Sequence, residues 1–131
     1  MGYNNLRNLG ENYIAFLQKI GQTDAPVTEE EIAQIIAPDC KKIVNGCVFS
    51  TSSKALPEQL NTARKAIGKW NIETLLFSAS PEDSTCSIQI KWTGDKMPES
   101  TTMTIIYFDD MGKINQIHEV YNEYEKNNIG G

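Results

Sequence analysis

The sequence predicts an α+β domain in which helices come first and an antiparallel sheet follows. Two observations carry this. Apolar residues recur at helical spacing in three segments before Gly68. From Trp70 onward the period changes to two, in four runs separated by turn residues. A length of 131 residues, 40% of them hydrophobic, suits one domain with one core over residues 1–131. Such a chain buries roughly two thirds of its unfolded surface and needs neither disulfide nor metal to fold.

The first helix is read over residues 3 to 20, where Leu6, Leu9, Tyr13, Phe16, Leu17 and Ile20 form one apolar stripe that Gly21 stops. After Pro26, Thr28 followed by Glu31 reads as a capping box. It opens a short helix through Ile32, Ile35 and Ile36 that Pro38 ends. Residues 41 to 52 read as two strand pieces hinged at Asn45-Gly46, a dipeptide that tolerates positive φ. The third helix starts at Leu56-Pro57, runs through Leu60, Ala63, Arg64 and Ile67, and stops at Gly68. Strands follow over 70–79, 86–93, 101–109 and 113–123. Short turns join them, so they form an antiparallel meander in sequence order, one face of which the three helices cover.

Composition narrows the partners. Twelve Lys and Arg against 17 Asp and Glu give a net charge of -5, the wrong sign for a nucleic-acid footprint. No apolar run reaches the length of a membrane span, and the polar start Met1-Gly2-Tyr3-Asn4-Asn5 has no apolar signal segment, so a cytoplasmic location is expected, with no membrane partner. Three cysteines, Cys40, Cys47 and Cys86, make an odd count without a CxxC, and His118 is the single histidine. Reduced thiols are therefore expected, although Cys40 and Cys47 are close enough in sequence to pair if their strands allow it. No metal and no cofactor is expected.

The order helix, helix, Pro38-Asp39-Cys40, bent strand with Asn45-Gly46, helix and meander resembles the nuclear transport factor 2-like superfamily over nearly the whole chain. The most specific piece is 108 to 121, where Phe108-Asp109-Asp110-Met111-Gly112-Lys113-Ile114 turns into a last strand carrying an acid and an aromatic, similar to the SnoaL-like branch. The resemblance implies a cone-shaped fold in which three N-terminal helices pack on a strongly curved antiparallel sheet around an internal pocket. Members include ketosteroid isomerase, polyketide cyclases, limonene epoxide hydrolase and non-enzymatic binders, so it leaves function open. The position that best matches the isomerase's general-base Asp is Asn45, which cannot take a proton, and its protonated Asp matches Met103 or Ile105. The hydrolase's Arg has no counterpart in strands 86–93 and 101–109. Neither activity is expected.

The last strand supplies the candidate site. Alternation puts Ile117, Glu119 and Tyr121 on one face and Gln116, His118 and Val120 on the other. Glu119 matches the acid of the SnoaL-like motif, while Ile117 takes the place of its His. A partly desolvated carboxylate in a pocket is a candidate acid-base or anchoring group. Glu119 as proton acceptor and Tyr13 as donor are the candidate catalytic residues. Tyr13, Phe16, Asp39, Asn45, Trp92, Tyr107 and Tyr121 are the candidate ligand-binding residues. Aromatic walls suit a small apolar molecule. Three functions follow: a small-molecule binding protein, a SnoaL-like isomerase or cyclase using Glu119 as general base, and a protein-interaction module. Large apolar residues on both faces of Leu75-Leu76-Phe77 and Ile105-Ile106-Tyr107-Phe108 predict a homodimer through the outer sheet face. His118 is expected on that outer side, in a structural or interface role.

Overall fold

The computed structural model describes residues 1–121. Helix α1 (Tyr3–Gly21) buries Leu6, Gly10, Tyr13, Leu17 and Ile20 along one side, as the spacing predicts. Its end is built around Trp70. A Cβ on Gly21 would lie 2.2 Å from the indole ring, and the indole Nε1 donates to the Leu17 carbonyl at 2.9 Å.

Helix α2 (Glu29–Ala33) opens on the Thr28–Glu31 capping box, with both reciprocal hydrogen bonds present. It ends earlier than the expected run through Ile36, because Ile36–Val44 is strand β1. Strand β1 lies beside the last strand, β6 (Ile114–Tyr121), in parallel, with Ile36 opposite Ile114 and Val44 opposite Glu119. The Lys113 ammonium donates to the Ala33 and Gln34 carbonyls, and Ile114 N–H donates to the Ile35 carbonyl. These bonds satisfy the helix end that the strand displaces. Pro38 falls where the β1–β6 register slips, between Ile36 and Lys41, a place that tolerates a missing N–H.

Asn45 and Gly46, with φ of 49° and 81°, make the two-residue turn from β1 into β2 (Cys47–Ser50). A 3₁₀ turn, Ser53–Ala55, leads into α3 (Leu56–Ile67), which has Pro57 in its first turn and Gly68 at φ 80° beyond its end. The third helix therefore follows two strands, and the helices are not all N-terminal to the sheet.

Strands β3 (Trp70–Ser80), β4 (Thr85–Gly94), β5 (Met97–Phe108) and β6 form the antiparallel meander expected from the period-two runs. Positions 122 and 123 of the expected last strand lie outside the described residues. Among the described residues the sheet has six strands in the order β2-β1-β6-β5-β4-β3. It is mixed, not wholly antiparallel, because β1 and β6 run the same way. Tight turns force neighbours in sequence to be antiparallel, whereas β1 reaches β6 across the whole chain and nothing local fixes its direction.

The helix-covered inner face carries Cys40, Cys86, Ile88, Ile90, Ile106 and Ile117, packed against Leu6, Tyr13, Leu17 and Ile20 in one core. Register shifts at Lys42/Ile43, Thr74/Leu76 and Tyr107/Phe108 bend the strands locally. Among the described residues no helix is long and apolar enough to cross a membrane.

Candidate functional site

Strand β6 sets the site by alternation. Ile117 is fully buried and pairs across β5 with Ile106, so the inner face of β6 is Ile117, Glu119 and Tyr121. Glu119 is half-buried, flanked by Thr104 on β5 and Val44 on β1. His118 lies on the outer face, its ring 5.5 Å from that of Tyr107 and in contact with the Gln116 amide.

Helix α1 packs on β3 and β4 and brings Tyr13, only 4% exposed, into the core that the inner face shares. Burial pushes the phenol far above its ordinary range, and the negative charges of Glu119 and Cys40 act in the same direction. The hydroxyl therefore keeps its proton and is available as a donor. Among the described residues neither the Tyr13 hydroxyl nor the Glu119 carboxylate is engaged in a side-chain hydrogen bond or ion pair. A donor and an acceptor thus face the same interior with their hydrogen-bonding capacity unused.

A third polar group reaches this interior that periodicity did not single out. Lys42 on β1 is 7% exposed, and its Nζ donates to Gln59 Oε1 on α3 at 2.7 Å. The ammonium also lies 5.9 Å from the centre of the Phe49 ring. Burial pulls its pKa down, opposed by Glu119 and Cys40. Beside it, burial pushes the Cys40 thiol up to about 11 against the opposing pull of Lys42, with Asp39 adding to the rise. In sequence, Lys41-Lys42 reads as a solvated pair. Only the alternation Cys40, Lys42, Val44 within the strand shows that the second lysine points inward.

The remaining candidates divide. Phe16 is half-buried against the core one turn from Tyr13. Trp92 is half-buried on the inner face, edge-on to Trp70 with centroids 5.5 Å apart, and its Nε1 donates to Thr102 Oγ1 at 2.9 Å. Tyr121 shares the inner side at the more exposed end of β6. Three others are not brought to the group. Asn45 sits in the exposed turn, its amide oxygen accepting from Tyr121 N–H at 3.0 Å. Asp39 is exposed on the side of β1 away from Cys40. Tyr107 is on the outer face beside His118.

Two surface clefts lie apart from these residues. One, of about 490 Å³, includes Asn5, Ser84 and Asp109 in its lining. The other, of about 600 Å³, includes Asn61, Arg64 and Lys96. All three cysteines are free, and among the described residues no three His, Cys, Asp or Glu side chains gather to hold a metal.

A bent mixed sheet with helices over one face is the architecture of the nuclear transport factor 2-like, or cystatin-like, fold. Solved structures of that fold superpose on this chain. One is a SnoaL-like polyketide cyclase from Agrobacterium tumefaciens, at 12% identity and TM-score 0.70, covering 96% of this chain and 98% of that one. A second is a nuclear transport factor 2-like protein of unknown function from an Exiguobacterium species, at 12% identity and TM-score 0.69, covering 88% and 98%. A third is an LEH-like epoxide hydrolase from Mycobacterium tuberculosis, at 12% identity and TM-score 0.67, covering 92% and 85%. No family model and no curated protein matches the sequence. What the chain shares with these structures is the fold.

Proposed function

We propose that this protein binds a small, largely apolar molecule between α1 and the inner face of the sheet, with Glu119 and Tyr13 anchoring the ligand's polar group. The observation that carries this is the pair itself, a buried phenol that keeps its proton and a carboxylate whose charge it feels, neither engaged in a side-chain hydrogen bond. Phe16 and Trp92 supply apolar wall, and Tyr121 stands at the rim. Asn45, Asp39 and Tyr107 take no part, since the first is committed to the β1–β6 junction and the other two point away.

The same pair supports a catalytic version of this reading, a SnoaL-like isomerase or cyclase. Glu119 would accept a proton from the substrate, and Tyr13 would donate a hydrogen bond to the oxygen on which charge develops. The likeness to a SnoaL-like polyketide cyclase is compatible with it through the fold alone. A third element of the reading is assembly. Val48, Leu76, Met103 and Val120 are exposed on the outer face, with Gln89 between Leu76 and Met103, and a two-fold contact through that face would cover them.

Calorimetric titration of the full chain with 2-naphthol tests the anchor. Its hydroxyl can donate to Glu119 and accept from Tyr13. Glu119→Gln keeps the shape and removes the charge, so affinity should fall about tenfold, the size of one lost charge-assisted hydrogen bond. The melting temperature should hold or rise. Equal affinity for wild type and Glu119→Gln removes Glu119 from the site.

A further inference from the structure

We infer that Lys42, Ser50 and Gln59 form a subsite for a single oxyanion, so that the ligand held over the inner face carries a carboxylate or an enolate oxygen. This rests on the binding reading above and adds the chemical class of the ligand.

The register places the three groups together. Lys42 is opposite Ser50 in the β1–β2 pairing, just before the register shifts, and beside buried Ile117 in the β1–β6 pairing. Side chains directly opposite one another share a face, so both project inward, toward the helix that carries Gln59.

Two of the groups, Lys42 and Ser50, lack something an anion supplies. A buried ammonium is costly unless a negative charge compensates it. The ion pairs among the described residues are Arg7–Glu11 and those of Lys91 with Glu73 and Glu99, so Lys42 meets the neutral Gln59 oxygen and the face of the Phe49 ring but no carboxylate. Glu119 attracts it through space without reaching it. Across from Lys42, the Ser50 hydroxyl is buried with no hydrogen-bond partner among the described residues, an arrangement native proteins rarely leave.

An oxygen bearing negative charge satisfies both. It accepts from Ser50 and compensates Lys42, while Gln59 keeps the ammonium oriented. A neutral hydroxyl would satisfy Ser50 and leave the charge unpaired. A dianion such as a phosphate ester would bring a second charge that this single cation cannot balance, toward the Glu119 carboxylate.

Two probes of one shape decide the matter: 2-naphthoate and its neutral amide, 2-naphthamide, titrated into the full chain at pH 7. The carboxylate should bind about tenfold or more tightly than the amide, the discrimination expected of a charge-assisted contact in a buried site. Lys42→Met should bring the ratio to about one by weakening only the carboxylate. Ser50→Ala should lower it about threefold with the cation retained, a loss at the lower end for one hydrogen bond. Should Lys42→Met not fold, Ser50→Ala and Lys42→Gln carry the same test. Equal binding of both probes to wild type, or an undiminished preference in these variants, overturns the subsite and leaves the binding reading standing. If neither probe binds, the binding reading fails and the subsite with it.

Discussion

Replacing Lys42 with Met should make the protein more stable while removing its preference for anions. Met keeps the buried stem of the side chain and deletes the ammonium. The loss is one 2.7 Å hydrogen bond to Gln59, worth about 1.5–3 kcal/mol when one partner is charged, together with the smaller attraction of the Phe49 ring 5.9 Å away. Gln59 is only half-buried, so water can take over its freed oxygen. The gain is relief of a desolvation penalty of roughly several kcal/mol for an ion with no carboxylate in contact, less the through-space attraction of Glu119. The net should be a rise of about 1–3 kcal/mol, or roughly 4 °C in Tm per kcal/mol for a chain this long. Urea denaturation at pH 7 measures it.

The pH dependence checks the cause. Burial lowers the Lys42 pKa below its ordinary 10.5. Between the folded value and 10.5 the unfolded chain therefore binds more protons, and this lysine's contribution to stability rises with pH through that window. Lys42→Met should abolish the rise, and its advantage over wild type should be largest below the window. A variant less stable than wild type by more than about 1 kcal/mol at pH 7 would mean that the ammonium is well compensated in the folded protein.

Other outcomes follow from particular contacts. Gly21→Ala drives a Cβ to 2.2 Å from the Trp70 ring, so unfolding in urea should show a loss of about 1–3 kcal/mol; a loss under roughly 0.5 kcal/mol would mean that the helix end does not seat the indole as described. The Cys40 and Cys86 thiols, ordinarily near 9.0, are both pushed up to about 11 by burial. Their contribution is complete below pH 9.0 and lost as pH rises through about 11, and the double variant Cys40→Ala, Cys86→Ala should flatten that alkaline decline in Tm. Light scattering of the wild type at tens of micromolar should give twice the 14.7 kDa of one chain, and Val120→Lys, which puts a charge on the outer face, should return it to one; a wild type that is already monomeric contradicts the proposed dimer.

Local signals in the sequence were enough for the elements that local chemistry determines. The α1 stripe, the Thr28–Glu31 capping box, the Asn45-Gly46 turn and the meander each depend on residues a few positions apart, and periodicity reports those directly. The parallel β1–β6 pair was not legible, since its partners lie at opposite ends of the chain and a strand's alternation carries no record of its neighbour's direction. The early end of α2 has the same origin, with Ile36 drawn into the sheet by Ile114 and Lys113 closing the helix behind it.

Within the site, the inward placement of Glu119 and Tyr13 follows from alternation and helical spacing. Lys42 did not stand out because a lysine doublet reads as solvated until the strand register is known. Tyr107 looked like cavity wall by its size, yet Ile106 and Phe108 on either side take the inner face and leave it outside. Asn45 was matched to a pocket position by resemblance, whereas its positive φ and its bond to Tyr121 N–H give it a turn to make and a junction to hold.

Ligand binding beside Glu119 and Tyr13 is tested most directly by a crystal structure of the full chain with 2-naphthol bound. The naphthyl ring should lie between α1 and the inner sheet face, against Phe16 and Trp92, with its hydroxyl within hydrogen-bonding distance of both Glu119 and Tyr13. A ligand found only in the surface cleft at Asp109 or the one at Arg64, or a Glu119 side chain turned to bulk water with His118 inside, would contradict it.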